Sequence, residues 1–177
     1  MGLNKVMATV VLTVVSLFTV FETESLAARV RARELKLLTA STDAFRSSLS
    51  FYDFYLSIDN RSGQISGLKC KRGSSVLAEY SARDMLKRGG APLITMMGFP
   101  VVTFIAQDMD VRNGGTFKLE YLGKGTNADL MLELHRDGSN WKIYRNEQNG
   151  RREVKKIFFK AWKPSGRAMG IESISFD

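Results

Sequence analysis

The stretch Asn113-Gly-Gly-Thr-Phe-Lys-Leu-Glu-Tyr-Leu122 decides how the chain reads. Asn-Gly-Gly is a hairpin signal, because its residues accept the positive φ that a tight connection between antiparallel strands needs. Behind it, Phe117, Leu119 and Tyr121 alternate with Lys118 and Glu120. A period of two places the apolar set on one face, the pattern of a strand that is buried on one side. The alternation recurs downstream. Leu130, Leu132 and Leu134 repeat it, and Asp137-Gly138 turns the chain into Trp141–Arg145. Asn149-Gly150 turns it again into a strand over Arg152–Lys163, and residues 168–176 (AMGIESISF) make a last one.

Upstream of the hairpin signal the pattern continues. Leu93–Met97 and Val101–Ala106 flank Gly98-Phe-Pro100. Residues 51–58 (FYDFYLSI) place Tyr52, Phe54, Leu56 and Ile58 on one apolar face. Asp59–Gly63 is then a turn, and Gln64–Lys71 is the returning strand. About eight short strands with regular turns predict a mainly β fold, a single antiparallel β-sandwich-like domain. One or two short helices accompany it. Ser81–Arg88 is the first: Ser81 can cap it, Asp84 suits its first turn, Lys87 and Arg88 its last, and Gly89 can end it. Residues 29–40 (RVRARELKLLTA) leave helix and strand open, since good helix formers dominate while Leu35 and Leu37 alternate.

The N-terminus has a different character. Lys5 precedes an uncharged run, Val6–Phe21, and a small polar segment follows it. Ser25 and Ala27 stand at the −3 and −1 positions of a cut before Ala28, as signal peptidase requires. The run is shorter than the ~20 residues of a spanning helix. The expected organisation is a cleaved signal peptide, 1–27, followed by one β-rich domain, 28–177, that is exported to the periplasm or the extracellular space. The alternative keeps residues 6–21 as an anchor and makes 22–50 the helical stalk of an envelope assembly subunit. Only in that case does the protein meet a membrane directly.

The 177 residues carry a net charge of +8. Removing residues 1–27 takes away Lys5, Glu22 and Glu24 and leaves 25 cations against 16 carboxylates, a net charge of +9. A basic exported domain is drawn to anionic surfaces. The single cysteine, Cys70, excludes an internal disulfide and any thiolate cluster. It alternates in phase with Leu68, which points it into the core. With one histidine, His135, a multi-histidine zinc site is impossible. His135 shares a strand face with Glu133, opposite the leucines, and no nucleophile motif accompanies it. No phosphate-binding, dinucleotide-binding or nucleic-acid-binding motif is present, and the sequence implies no cofactor.

Three features remain as candidates for function. The first is the strand 154–163. Lys156, Phe158, Lys160 and Trp162 share one face, Ile157, Phe159 and Ala161 share the other, and Arg151, Arg152 and Lys163 are close in sequence. Bulky aromatics between cations suit stacking plus electrostatic attraction, toward sugar rings, bases or acidic chains. The competing expectation is that Phe158 and Trp162 are themselves covered by another element. The second is Asp108-Met-Asp110, with the i, i+2 carboxylates of a calcium loop. Arg112 stands where the fifth ligand belongs and Leu119 where the bidentate glutamate belongs, so a polar turn is the better description. The same two aspartates with Glu133 are the candidates for carboxylate-based glycan hydrolysis, the enzymatic alternative. The third is Asn60-Arg61-Ser62, a glycosylation sequon within a turn. The leading expectation is a non-enzymatic domain that binds an anionic or glycan envelope component, or a protein partner.

Overall fold

The computed structural model describes residues 32–43, 49–96, 99–163, 166 and 169–177. The expected signal peptide, its cut at Ala28 and the anchor segment lie outside these residues. The described chain forms twelve strands and one short helix. In chain order they are β1 (Ala32–Thr42), β2 (Ser50–Asp59), β3 (Ile65–Arg72), β4 (Ser75–Ser81), α1 (Ala82–Met85), β5 (Ala91–Met96) and β6 (Phe99–Asp110). They continue as β7 (Gly114–Leu122), β8 (Asn127–Asp137), β9 (Asn140–Glu147), β10 (Gly150–Glu153), β11 (Lys156–Trp162) and β12 (Gly170–Phe176).

Two six-stranded sheets result. The second is a plain antiparallel meander, β10-β9-β8-β7-β6-β5, in which every strand pairs with its neighbour in sequence. Its short hairpins use the predicted turn residues: Gly114, Gly138 and Gly150 all have positive φ. Gly115 is fixed by crowding as well, since a Cβ there would stand 1.8 Å from the Asp108 carbonyl oxygen. The first sheet has the order β12-β11-β1-β2-β3-β4. The segments with period-two alternation supply the inward residues of both sheets, and these form one core. Tyr52, Phe54, Leu56, Leu68 and Ile157 contribute from the first sheet, and Phe104, Phe117, Leu119, Leu132 and Leu134 from the second. Tyr121 of β7 packs against Phe159 of β11, ring centroids 5.9 Å apart, joining the layers. A mainly β fold of two sheets around a shared core fits a β-sandwich.

Two expectations are corrected, one open reading is resolved and one element is shortened. The domain is not purely antiparallel: β1 pairs with β11 in parallel, Thr39 opposite Lys156 through Thr42 opposite Phe159. A parallel pair cannot be joined by a tight turn and needs a long crossover, and here nearly the whole domain serves as that crossover. Secondly, the segment Arg152–Lys163 is not one strand. It breaks at Val154–Lys155, where the chain leaves the second sheet for the first. The Val154 N–H still bonds the Ile143 carbonyl on β9 at 2.8 Å, while the Lys155 carbonyl accepts from Thr39 on β1 at 3.0 Å. Val154 is buried at the crossing, so its apolar side chain holds the break without interrupting the core. Thirdly, residues 32–42 are strand. The open reading of 29–40 resolves to β wherever it is described, and a helical stalk through 22–50 is excluded over that stretch. Helix α1 is shorter than the expected Ser81–Arg88. Ser81 caps it, accepting from the Asp84 N–H, but the chain unwinds after Leu86, and Gly89 (φ 107°) follows in a turn.

Leu68 and Cys70 both face the core, as their phase predicted. Burial pushes the Cys70 thiol up to about 12, which suppresses the thiolate that a reactive cysteine needs. Cys70 is therefore expected to resist a thiol reagent at pH 8 in the native protein and to react fully in denaturant. Fast stoichiometric labelling without denaturant would contradict its burial. Strand β11 offers a second check, because adjacent phenylalanines face opposite ways: Phe159 is buried and Phe158 is half-buried on the outer face. Phe159→Ala should destabilise by about 3–5 kcal/mol, and Phe158→Ala by roughly 1 kcal/mol or less, in urea unfolding. Equal losses would contradict the assigned faces.

Candidate functional site

Along β11, Lys156, Phe158, Lys160 and Trp162 share the outward face, while Ile157, Phe159 and Ala161 face the core. The aromatic pair is half-buried, so no element covers it completely, and the two lysines are exposed. At ~3.3 Å per residue the rings stand about 13 Å apart along the strand. Their cross-strand neighbours are small. Phe158 has Ser175 of β12 on one side and Ser41 of β1 on the other, and Trp162 has Gly170. Small neighbours leave the two rings partly exposed.

The lysines are compensated. Lys156 pairs with Asp177 at 2.6 Å, Lys160 with Glu172 at 3.4 Å, and Lys163, just past the strand, with Asp43 at 3.4 Å. Lys156 holds the Asp177 carboxyl below its usual range, and the hydrogen bond from Lys124, followed by that from Lys160, does the same for Glu172. Exposed pairs of this kind are worth about 0–1 kcal/mol and exchange readily for an incoming anion. The face is thus an aromatic strip edged by exchangeable ion pairs.

Arg151 and Arg152 do not complete it in the way their sequence proximity implied. Both lie on β10 in the second sheet, on the far side of the break at Val154–Lys155. The Arg151 guanidinium sits 4.5 Å from the centroid of the Tyr144 ring. Arg152 has an electrostatic tie to Asp177, just past the end of β12.

The acids proposed for hydrolysis are dispersed. Asp110 closes its own turn, accepting from the Arg112 and Asn113 N–H groups at 2.6 and 2.7 Å. This hydrogen bonding holds its carboxyl below the usual range. Asp108 stands opposite Thr116, and Thr116 opposite Glu133, so β7 separates the two acids by roughly 10 Å of backbone on a sheet. Glu133 is held on both oxygens, by His135 Nε2 at 2.8 Å and Asn146 Nδ2 at 2.7 Å. His135 first, then Asn146, draws the Glu133 carboxyl down. A glycan hydrolase needs one acid drawn up so that it can donate a proton. Among the described residues, no group of three or more His, Cys, Asp or Glu is placed to hold a metal ion.

Sequence reasoning missed a second polar site. A cleft of about 370 Å³ opens where the β2–β3 turn meets the β8–β9 turn and the start of β1. Arg61 comes from the first turn, Arg136 from the end of β8, and Arg33 from β1. Asp59 is the one carboxylate lining it. One of its oxygens folds the turn, accepting from the Arg61 and Ser62 N–H groups at 3.0 and 2.7 Å and from the Ser62 hydroxyl at 2.9 Å. The Ser62 bonds dominate in keeping Asp59 ionised. Nothing in residue spacing pointed to this cleft, because its arginines come from three distant segments. The turn residues Asp59, Gly63 and Gly138 were legible, but not what their turns face.

Compared with protein-family profiles, curated proteins and solved structures, the chain matches none.

Proposed function

We propose that this is an exported, non-enzymatic β-domain that binds an anionic or glycan component of the cell envelope through the outward face of β11. One observation carries the reading: Phe158 and Trp162 lie partly exposed on one sheet face, between small neighbours and beside lysines whose ion pairs are weak. Stacking supplies contact area, and the lysines, together with the excess positive charge, supply attraction. The N-terminal segment supports export, through its cationic start, its apolar run and the small residues at Ser25 and Ala27. The dispersal of Asp108, Asp110 and Glu133, with the Asp110 and Glu133 carboxyls drawn below their usual range by hydrogen bonds from the Asn113 and Arg112 N–H groups and from His135 and Asn146, speaks for binding over hydrolysis.

The protein recovered from its native host should have the intact mass of residues 28–177. A full-length mass in the membrane fraction would instead favour the anchored subunit. For the binding face, Phe158→Ala with Trp162→Ala should lower affinity for an immobilised acidic polysaccharide such as alginate by about ten- to a hundred-fold, on the scale of about 1 kcal/mol per stacked ring. The melting temperature should stay within a few degrees of the unmodified protein. Undiminished binding by the folded double variant would remove the site, and loss of folding would show the two rings to be core.

A further inference from the structure

We infer that the cleft of Arg33, Arg61 and Arg136 is a binding site for a phosphate dianion carried as a monoester on a small polar body such as a sugar. The inference is independent of the β11 face, since no residue is shared.

Three observations combine. First, the three arginines share one cleft with a single carboxylate, Asp59, whose interaction with Arg61 is electrostatic. Among the described residues none of the three forms a salt bridge, in contrast to Lys36, Lys69, Lys71, Lys118 and Lys142, which all do. Secondly, two of the guanidiniums are fixed without being neutralised. Arg33 Nη2 donates to the Ser139 carbonyl, and Arg136 Nε donates to the Gly138 carbonyl at 3.2 Å. A guanidinium has five N–H donors, so each retains four for a ligand after being held in place by the same turn. Arg136 is seated further by Gly63, where a Cβ would lie 2.4 Å from Arg136 Nη2. The glycine both accepts the turn's φ of 67° and leaves room for the guanidinium. Preorganised donors of this kind cost little ordering on binding.

Thirdly, charge and size discriminate among anions. Three guanidiniums against the single Asp59 carboxylate leave a local charge of +2. That balances a phosphate monoester, which carries about −1.5 to −2 at neutral pH, better than a lone carboxylate. Guanidinium forks match phosphate oxygens in pairs. The 370 Å³ volume lies at the small end of ligand sites and exceeds the needs of a bare ion. Asn60, Ser62 and Ser139 line the remainder with neutral hydrogen-bonding groups suited to hydroxyls.

The test is isothermal titration calorimetry of the full chain at low salt, with glucose 6-phosphate, inorganic phosphate, inorganic sulfate and glucose as separate titrants. Glucose 6-phosphate should bind saturably at one site, inorganic phosphate more weakly, and glucose not at all. If inorganic phosphate binds as tightly as the ester, the site takes the free ion and the assignment to a carried phosphate is overturned. Lowering the pH from 7.5 to 5.0 protonates the ester through its second pKa near ~6. Its affinity should fall several-fold while that of sulfate does not. Each of Arg33→Gln, Arg61→Gln and Arg136→Gln should weaken the ester about ten-fold or more, the usual scale for a lost charged hydrogen bond. All three side chains are exposed, so the variants should melt like the parent. Gly63→Ala, which crowds Arg136 Nη2 and strains the turn that carries Arg61 without changing charge, should weaken binding as well. Absence of saturable ester binding, or binding unaffected by the three arginine variants, would overturn the inference.

Discussion

The parallel pairing of β1 with β11 is the constraint on which the rest of this fold depends. Without it, the second sheet is a self-contained meander, but the first ends at β1, with an unpaired edge and no β11–β12 hairpin. Docking that hairpin onto β1 completes the first sheet, brings Ile157, Phe159 and Ile171 into the core, and turns the other side of β11 into an open face. The contacts are few and distant in sequence: four residue pairs join segments more than a hundred residues apart. Closing so long a loop costs entropy, though only logarithmically in its length. The buried side chains of β11 must offset that cost, because the hydrogen bonds alone contribute modestly.

The same pairing accounts for where the polar chemistry lies. Strand β1 extends beyond the start of β11, and its leading part carries charges that others answer. Glu34 bridges Lys69 and Lys71, whose hydrogen bonds draw its carboxyl below the usual range, and Lys36 pairs with Asp53. Arg33, one step earlier, has no such answer and reaches the β8–β9 turn instead. One strand thus begins at the arginine cleft and a salt-bridge network and ends beside the aromatic strip of β11. The two surfaces differ physically: the β11 lysines are each paired with a carboxylate, whereas the cleft sets three arginines against one. One offers rings and exchangeable lysine pairs, the other fixed guanidiniums around a small volume.

How much of this was legible depended on range in sequence. Period-two alternation in residues 116–122 and 130–134 identified strands and their buried faces, because those choices are local. Glycine turns at 114, 138 and 150 were equally local, as was the Ser81 cap. The face assignments of Phe158, Phe159 and Cys70 followed from phase alone. The parallel closure was not legible in β1: burial alternates strictly over Leu37–Thr42, but the buried set is Leu38, Ala40 and Thr42, two of them small or polar, and not the Leu35 and Leu37 that the sequence offered. The break at Val154 was hidden for a related reason: an apolar residue continues the pattern on either side, and only the partner's position reveals the crossing. Grouping Arg151 and Arg152 with the β11 face failed at that break. The arginine cleft was invisible because its members share a location only after both sheets have formed.

Hydrogen exchange, resolved to individual amides in the native full chain, tests the closure most directly. If β1 and β11 are paired as described, the amides of Thr39–Thr42 and Ile157–Phe159 that bond within the sheet should exchange together. They should do so as slowly as the core amides of β7 and β8, through global unfolding. Rapid exchange across both segments, with β7 and β8 still protected, would mean that the β11–β12 hairpin is not docked on β1, and the account of the first sheet and its outward face would fall.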